Sequence, residues 1–396
     1  IFQSFGHRRR RRRNGFGLFS GYTAKMSYIT SIFYRFLLKP ILFKFPADSV
    51  HEWFLLMGER CGSSATIRWL IHSIFSYESS RLWQEVAGIS FKNPIGLAAG
   101  FDYNGQLINI LPSIGFGFQS IGTVTDRPYA GNPAPMLGRL PKSRALLVNK
   151  GFKSAGMDYV LSHISHHRNG PVGMSIGCTN RQYVDFDELV NDIASGFRKA
   201  NQNLFFDYFE LNISCPNLIN INTFEERPDE PGGLLKILIK LSGFNISRPV
   251  FIKMPAERTV EEIDALVKTA LPFNFIRGLI FSNLVKNRNN PHLDSGEVAK
   301  AGKGNFSGRP TFELSNQLIR HAHENYGDRF VIIGCGGVFT AEDAYQKIKL
   351  GASLVQLITG MVYGGPQQIG VINRGLVKLL KKDGYKNLSE AIGASV

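Results

Sequence analysis

Two segments near the carboxyl terminus, FVIIGCGG (residues 330 to 337) and SLVQLITG (residues 353 to 360), decide the fold class. Each is an almost continuous apolar run that ends in glycine, which is typical of a parallel strand buried on both faces. Between them, Thr340 of TAEDA can cap a helix whose first turn carries acidic side chains. The two segments therefore predict consecutive β–α–β units.

The same pattern occurs six more times upstream. The further apolar runs are NPIGLAAG (93 to 100), FQSIGTV (118 to 124), PVGMSIG (171 to 177), DYFELNIS (207 to 214), PVFIKMP (249 to 255) and GLIFSN (278 to 283). Helical patterns lie between the runs, for example over 185–200, 259–270 and 340–349. Eight such units predict a (β/α)8 barrel, whose chemistry lies at the carboxyl ends of the strands. A doubly wound open sheet is the alternative, although it would leave the count of eight a coincidence.

The positive charge of the chain is concentrated at its amino end. The formal charge is +15, and residues 1–47 hold +10 of it with no Asp or Glu. Residues 1–27 therefore resemble a mitochondrial transit leader, with a nuclear-type basic run or a solvated tail as alternatives. Residues 28–82 are predicted to form a helical segment, and 83–396 the barrel. The remaining charge is ordinary for a protein surface and gives no sign of nucleic-acid binding.

The segment SYITSIFYRFLLKPILFKF (27 to 45) mixes cations with large apolar residues. Arg35, Lys39 and Pro40 interrupt it, so a transmembrane helix is not expected. It suits a helix in a membrane interface or, alternatively, one packed on the main domain. Further on, an apolar stripe over 50–61 is more typical of a helix packed on a core.

The four cysteines, Cys61, Cys178, Cys215 and Cys335, form no CxxC pair. This spacing argues against structural zinc and against a disulfide framework, and no metal site is predicted.

Polar residues follow several of the predicted strands. Strands seven and eight end in the glycine-containing stretches GCGGV (334 to 338) and LITG (357 to 360). In this fold, backbone N–H groups at these two turns favour a phosphate site. Lys253 ends strand five and should meet an anion or a carbonyl group, a solvated surface position being the alternative. Asn212, Cys215 and Asn283 follow strands four and six. Such amides suit a small planar ligand with donors and acceptors, and a thiol beside them could exchange a carbon-bound proton.

These residues resemble the dihydroorotate dehydrogenases, and the N-terminal segment resembles that of the membrane-associated, quinone-reducing class. The motifs that carry the resemblance are NPIGLAAGFD, GFGFQSIGTVT, GNPAPMLGRLP, NISCPN, SGRP, IIGCGGV and GASLVQL, in the order and spacing of the family. The resemblance implies a monomeric enzyme that uses FMN to oxidise dihydroorotate to orotate and passes the electrons to ubiquinone, in pyrimidine biosynthesis. It also implies a location at the mitochondrial inner membrane.

The resemblance further assigns roles to individual residues. It implies FMN contacts at Ala98, Ala99, Gly100, Thr123, Ser175, Asn212, Lys253, Ser282, Gly308, Gly337, Ile358 and Thr359. It implies substrate contacts at Tyr103, Asn149, Asn212, Asn217 and Asn283, and a quinone contact at Arg139. Cys215 takes the general-base position, where the quinone-reducing class resembled here has serine and the soluble class has cysteine. With a reference pKa of about 8.5, a thiol should serve as base without much help.

Six positions depart from the family pattern. Tyr103 and Cys178 replace lysines, and Val148 and Ser175 replace asparagines. Leu284 replaces a polar residue that contacts the substrate, and Asn305 lies in a turn that is usually Gly-Gly in the family. On a strand, the slip from Val148 to Asn149 would turn the amide to the opposite face. Two alternatives to a working enzyme therefore stay open. One is a barrel that binds but no longer turns over, and the other is a related flavin barrel acting on RNA.

Overall fold

The computed structural model describes residues 29–164, 168–218 and 224–396. Eight parallel strands close into a barrel in sequence order, which confirms the predicted (β/α)8 architecture and excludes the open sheet. The barrel strands are β1 (Ile95–Leu97), β2 (Phe118–Val124), β3 (Val172–Ile176), β4 (Tyr208–Asn212), β5 (Val250–Lys253), β6 (Ile276–Phe281), β7 (Val331–Cys335) and β8 (Leu354–Leu357). The transit-like leader predicted over 1–27 lies outside the described residues.

Helices surround the barrel and precede it. They are α1 (Ala47–Ser63), α2 (Ala65–Phe75), α3 (Leu111–Ile114), α4 (Met157–His163), α5 (Phe186–Gln202), α6 (Pro231–Ser242), α7 (Val260–Ala270), α8 (Ser295–Lys300), α9 (Phe312–Tyr326), α10 (Ala341–Lys349), α11 (Thr359–Gly364) and α12 (Gln368–Lys382). A π-helical turn, Tyr34–Leu38, and a short helix, Lys39–Leu42, come before α1. The predicted cap of α10 is present, because Thr340 and Asp343 form a reciprocal capping box.

Two small sheets were not predicted. A hairpin of Gln84–Val86 and Ile89–Phe91 closes the amino end of the barrel, where Phe91 packs on Phe118. A second sheet pairs Ala145–Val148 with both Leu137–Leu140 and Asn305–Gly308 in antiparallel fashion. These strands are only three or four residues long, so their apolar patterns are too short to identify from the sequence.

The barrel interior is packed rather than hollow. Phe118, Tyr208 and Phe251 fill its lower part, with apolar side chains from the remaining strands around them. Above them lies a buried polar group, in which Glu210 Oε1 accepts from Ser120 and, at 2.7 Å, from Gln356 Nε2. Such a filled barrel leaves ligand space only at its mouth.

The helix α1 is held across the barrel mouth by polar contacts. Asp48 Oδ2 accepts the backbone N–H groups of Met136 and Leu137 at 2.9 and 3.2 Å. His51 Nε2 bonds Phe101 O at 2.8 Å, in the loop that follows β1. The N-terminal helical segment is therefore anchored to the catalytic face of the barrel.

The loop after β1 is organised by one buried carboxylate. Asp102 is fully buried and accepts three backbone N–H groups, those of Gly105, Gln106 and Leu107, each at 2.9 Å. These bonds replace the hydrogen bonds to water that the loop gives up on burial. They fix the position of the next residue, Tyr103.

Replacing Asp102 by alanine should destabilise the protein by about 3 kcal/mol or more, because three buried N–H groups lose their acceptor. Urea unfolding followed by circular dichroism measures this change. Asp102→Asn should lose less, since it keeps one acceptor oxygen. Asp158→Ala is the control, since Asp158 is 79% exposed and forms a surface ion pair with Lys199. An unfolding midpoint for Asp102→Ala equal to that of the control would contradict the role of this carboxylate.

Candidate active site

One cavity of about 480 Å³ runs from the carboxyl ends of the barrel strands to the N-terminal helices. Its two ends differ in chemistry. The helical end is apolar and is lined by Tyr34, Leu42, Phe43, Val50, Trp53, Phe54, Met57, Cys61, Ile71 and Phe75, among others. The barrel end presents amides, a thiol and cations. Ligands at the two ends would therefore occupy one continuous space.

Three predicted residues form a hydrogen-bonded row at the ends of β2, β3 and β4. Asn212 Nδ2 donates to Thr123 Oγ1 at 2.9 Å, and Thr123 Oγ1 lies 3.1 Å from Ser175 Oγ. Asn212 Oδ1 accepts from the Ser214 hydroxyl at 3.1 Å, which in turn accepts from Asn283 Nδ2 at 2.9 Å. The strand ends thus meet as the fold class predicts.

The thiol of Cys215 lies in surroundings that oppose its ionisation. The side chain lines the cavity and is partly buried. Removal from water raises its pKa to about 12, while the Asn217 backbone N–H and the charge of Lys253 act in the opposite direction. The expectation that this thiol ionises without much help is therefore not met.

A cluster of asparagines holds the loop that carries Cys215. Asn217 Nδ2 donates to Val148 O at 3.1 Å, and Asn305 Nδ2 donates to Asn217 Oδ1 at 2.6 Å. Asn132 Nδ2 bonds Asn217 O at 3.1 Å and Asn149 Oδ1 at 2.9 Å. Asn305, which departs from the family pattern, is therefore part of this support.

The asparagine that the family pattern places at position 148 stands at position 149 here, and its amide faces away from the cavity, as expected. Val148 ends a strand of the second sheet and lines the cavity. The amide of Asn149 is directed to Asn132 instead, away from the cavity-lining set. A substrate contact at Asn149 thus stays a prediction that requires the amide to turn.

Tyr103 connects the barrel loop to helix α1. It is 4% exposed, and its hydroxyl lies 2.8 Å from His51 Nδ1. Because burial removes the imidazole from water and Lys150 adds a nearby charge, the pKa of His51 falls to about 4. A neutral His51 that donates from Nε2 to Phe101 accepts the Tyr103 proton at Nδ1, so the tyrosine is fixed as a donor.

The remaining predicted residues divide into two groups. Those that line the cavity with Cys215 are Ala99, Gly100, Tyr103, Thr123, Arg139, Asn212, Asn217, Lys253, Asn283 and Ile358. Those that lie outside the lining set are Ala98, Asn149, Ser175, Ser282, Gly308, Gly337 and Thr359. The predicted motifs therefore meet at one cavity, although some of the predicted residues do not line it.

Comparison with known proteins identifies the family to which these motifs belong. A sequence model described as Dihydroorotate dehydrogenase matches residues 81–380. The chain belongs to the dihydroorotate dehydrogenase family. Relatives named dihydroorotate dehydrogenase (quinone) include one from Nocardia farcinica, 33% identical over 359 residues that cover 90% of this chain and 96% of the relative. Another, from Sulfurovum sp., is 34% identical over 90% of this chain and 97% of its own. The protein is therefore an oxidoreductase.

A solved structure supports the same assignment. A dihydroorotate dehydrogenase from Eimeria tenella, in complex with ferulenol, has a TM-score of 0.76 and 26% sequence identity. The match covers 88% of this chain and 96% of that one. Because 88% of the chain is more than residues 83–396 alone, the similarity extends into the part of the chain before the barrel.

The expected mitochondrial location is wrong by this comparison. Relatives that match over most of the chain are bacterial proteins, from species of Nocardia, Sulfurovum, Roseiflexus and Synechococcus. In addition, none of the helices within residues 29–164, 168–218 and 224–396 has the length and apolar character needed to cross a membrane.

Sequence analysis missed three supporting residues of this dihydroorotate dehydrogenase site, namely His51, Asn132 and Lys150. His51 lies within a helix that was predicted only from its apolar stripe. Asn132 lies in a loop before the second sheet, where an asparagine usually indicates only a turn. Lys150 follows the departures at Val148 and Asn149, and no spacing relates it to Tyr103.

Asn132→Leu should loosen the Cys215 loop, because it removes the bonds to Asn149 and to the Asn217 backbone. We expect alkylation of Cys215 by iodoacetamide to accelerate about fivefold, the effect of roughly 1 kcal/mol of lost hydrogen bonding. Peptide mass spectrometry measures this rate with Cys61 as the internal reference. Asn325→Leu, at an exposed helix position, is the control and should leave the rate unchanged. Equal Cys215 rates in both variants would show that Asn132 does not hold the loop.

Proposed function

We propose that this protein oxidises dihydroorotate to orotate with FMN as cofactor and a quinone, ubiquinone in the simplest case, as electron acceptor. This is the redox step of de novo pyrimidine synthesis. One observation carries the proposal: a single cavity joins the Cys215 thiol and the strand-end asparagines to an apolar space under the N-terminal helices. A polar ring substrate and an apolar acceptor each have a matching end.

The barrel end suits the ring of dihydroorotate. Asn212, Asn217 and Asn283 line it, and each amide offers both a donor and an acceptor to the ring carbonyl and N–H groups. Ser214 joins the amides of Asn212 and Asn283, and Asn217 is bonded to Val148 O and Asn305, so all three amides are oriented before a ligand arrives. Such preorganisation lowers the cost of binding.

Cys215 is the proposed general base, which takes a proton from the substrate carbon onto its sulfur. Because burial raises the pKa of this thiol, only a small fraction is thiolate at neutral pH. The nearby charge of Lys253 favours the thiolate, so Lys253 supports the base as well as any bound anion. This requirement distinguishes the site from one with a solvated cysteine.

The residues present fit FMN. Lys253 is 4% exposed, and among the residues that the structure describes no carboxylate forms an ion pair with it. Ser282 Oγ is buried without a hydrogen-bond partner in the described chain, which marks it as a donor or acceptor for a bound group. Gly308 and Gly337 have φ of 91° and 72°, backbone conformations that favour glycine.

Bound FMN would accept a hydride from the substrate and pass two electrons to the quinone. Lys253, Ser282, Thr123 and Asn212 would hold its ring system, and the backbones of Gly308, Gly337 and Thr359 its phosphate end. Gly100 leaves room beside the ring, since an added Cβ there would meet only Ile358, at 3.8 Å.

The helical end suits an apolar acceptor drawn from a membrane surface. Large apolar side chains of the N-terminal segment are exposed, including Phe36 at 78% and Trp69 at 68%. Arg139 lies at this end, with its guanidinium 4.7 Å from the Phe43 ring centroid and Nη1 bonded to Phe45 O at 2.7 Å. We propose that these helices rest on a membrane interface and admit the quinone between them.

The first experiment is an anaerobic visible spectrum of the purified full chain loaded with FMN, before and after addition of dihydroorotate. We expect the oxidised-flavin bands to bleach, and to return when a quinone is added. Flavin that binds but stays oxidised would contradict the proposed oxidation and favour a barrel that binds without turnover. Dihydrouracil, which has the ring but not the carboxylate, serves as the control substrate.

The pH profile tests the role of Cys215. The thiolate fraction rises about tenfold per pH unit below the pKa, so flavin reduction should still be rising at pH 9 rather than levelling near 8.5, the reference thiol value. Stopped-flow reduction by dihydroorotate measures this dependence. Cys215→Ala should be slower by about 100-fold or more. Cys215→Ser should show a different profile, and a serine variant whose rates overlie those of the wild type would refute the thiol base.

A further inference from the structure

The charges that line the cavity are all of one sign. Among the described residues lining it, the charged side chains are Arg139, Lys150 and Lys253, and neither aspartate nor glutamate is among them. A low-dielectric space lined by cations attracts anions strongly. The cavity is therefore built for ligands with negative charge, and each cation can be assigned by its position.

Two of the three cations have a role that follows from their position. Arg139 is held at the apolar end by Phe43 and Phe45. Lys253 ends β5 beside Cys215 and Cys335, where its charge acts on both thiols. The proposed function assigns Lys253 to FMN and to the base. Lys150 is left without a role.

Lys150 occupies a built position between the barrel and α1. It is 7% exposed, and its Nζ lies 4.6 Å from the centre of the Tyr103 ring. The Tyr103 hydroxyl is bonded to His51, which holds the ring as a flat wall under the ammonium. The cation–π contact thus orients the lysine without occupying its hydrogen-bond donors.

The counter-ion of Lys150 leaves space for a second anion. Asp48 Oδ1 lies 3.6 Å from Lys150 Nζ, longer than the 2.7–2.9 Å of a good charge-assisted hydrogen bond. Asp48 cannot move closer without cost, because its other oxygen accepts the Met136 and Leu137 N–H groups. A ligand carboxylate can therefore approach the ammonium more closely than Asp48 does.

The backbone of Lys150 belongs to the support of the catalytic loop. The Asn132 N–H donates to Lys150 O at 3.3 Å, and Asn132 Nδ2 donates to the backbone oxygen of Asn217, two residues after Cys215. Along Val148, Asn149 and Lys150 the side chains alternate, so that the first and third line the cavity and the second does not. Asn132 therefore holds both the backbone of Lys150 and the loop that carries Cys215.

We propose that Lys150 is the specificity-determining residue that binds the carboxylate of the substrate, with the Tyr103 ring as its platform and Asp48 as its fixed counter-ion. The inference rests on the proposed function, which supplies the substrate class. It explains how the site holds an anionic ring although position 103 is a tyrosine. Specificity for the acid over the same ring without a carboxylate comes from this ion pair.

Titration of the oxidised, FMN-loaded protein with orotate, followed by the shift of the flavin bands, tests the proposal. The same titration with uracil reports binding of the ring without its carboxylate. Lys150→Met should weaken orotate binding about 10- to 150-fold, the range for a lost hydrogen bond to a charged group, and leave uracil within about twofold. Lys150→Arg, which keeps the charge, should recover most of the loss.

Matched variants separate this effect from damage to the fold. Lys153→Met removes the neighbouring cation, which lies 5.7 Å from the same ring and pairs with Glu52 at 2.6 Å, and should bind orotate as the wild type does. Asp48→Asn should bind orotate as well or more tightly, because it removes the competing anion. Asp48→Asn combined with Lys150→Met leaves no buried unpaired charge and should still lose the orotate affinity.

Wild-type orotate affinity in the double variant, or equal losses for orotate and uracil, would overturn the assignment to Lys150. Failure of the proposed function gives a different result. In that case the wild-type protein itself shows no bleaching with dihydroorotate and no band shift with orotate. The inference about Lys150 would then fail together with the proposed function. If the wild type responds to both ligands and the double variant binds orotate with wild-type affinity, only the role of Lys150 is refuted.

Discussion

Closure of the eight parallel strands is the constraint on which the candidate chemistry depends. In this barrel the interior is filled by Phe118, Tyr208, Phe251 and the polar group around Glu210, so side chains at the strand ends have only the mouth to occupy. Residues distant in the sequence, such as Thr123 and Asn212, thereby come within hydrogen-bond distance. The geometry of the site follows from the fold before any ligand is considered.

The second constraint is the docking of α1 over that mouth. Asp48 is bonded to the backbone of the second sheet, and His51 is bonded to the loop after β1. Together they convert an open barrel face into a cavity with an apolar end. The same carboxylate faces Lys150, so the docking of the helix and the charge of the site share one side chain.

The sequence predicted the barrel well because parallel strands buried on both faces leave long apolar runs, and eight of them are unmistakable. It also placed Cys215, Lys253 and Asn283 at strand ends, where the structure has them. It did not reveal the second sheet or Asn132, because short strands and loop amides have no periodic signal. The environment of Cys215 was misjudged for a related reason: a reference pKa describes a solvated thiol, and burial is a property of the fold.

The two ends of the cavity are made by parts of the chain under different restraints. Strand ends of the barrel build the polar end, within the region that the family model matches. The apolar end is built largely by residues 34–75, which precede the region matched by the family model, residues 81–380. An inhibitor that fills the helical end therefore meets side chains outside the matched region, whereas one that mimics the ring substrate meets the strand-end amides within it.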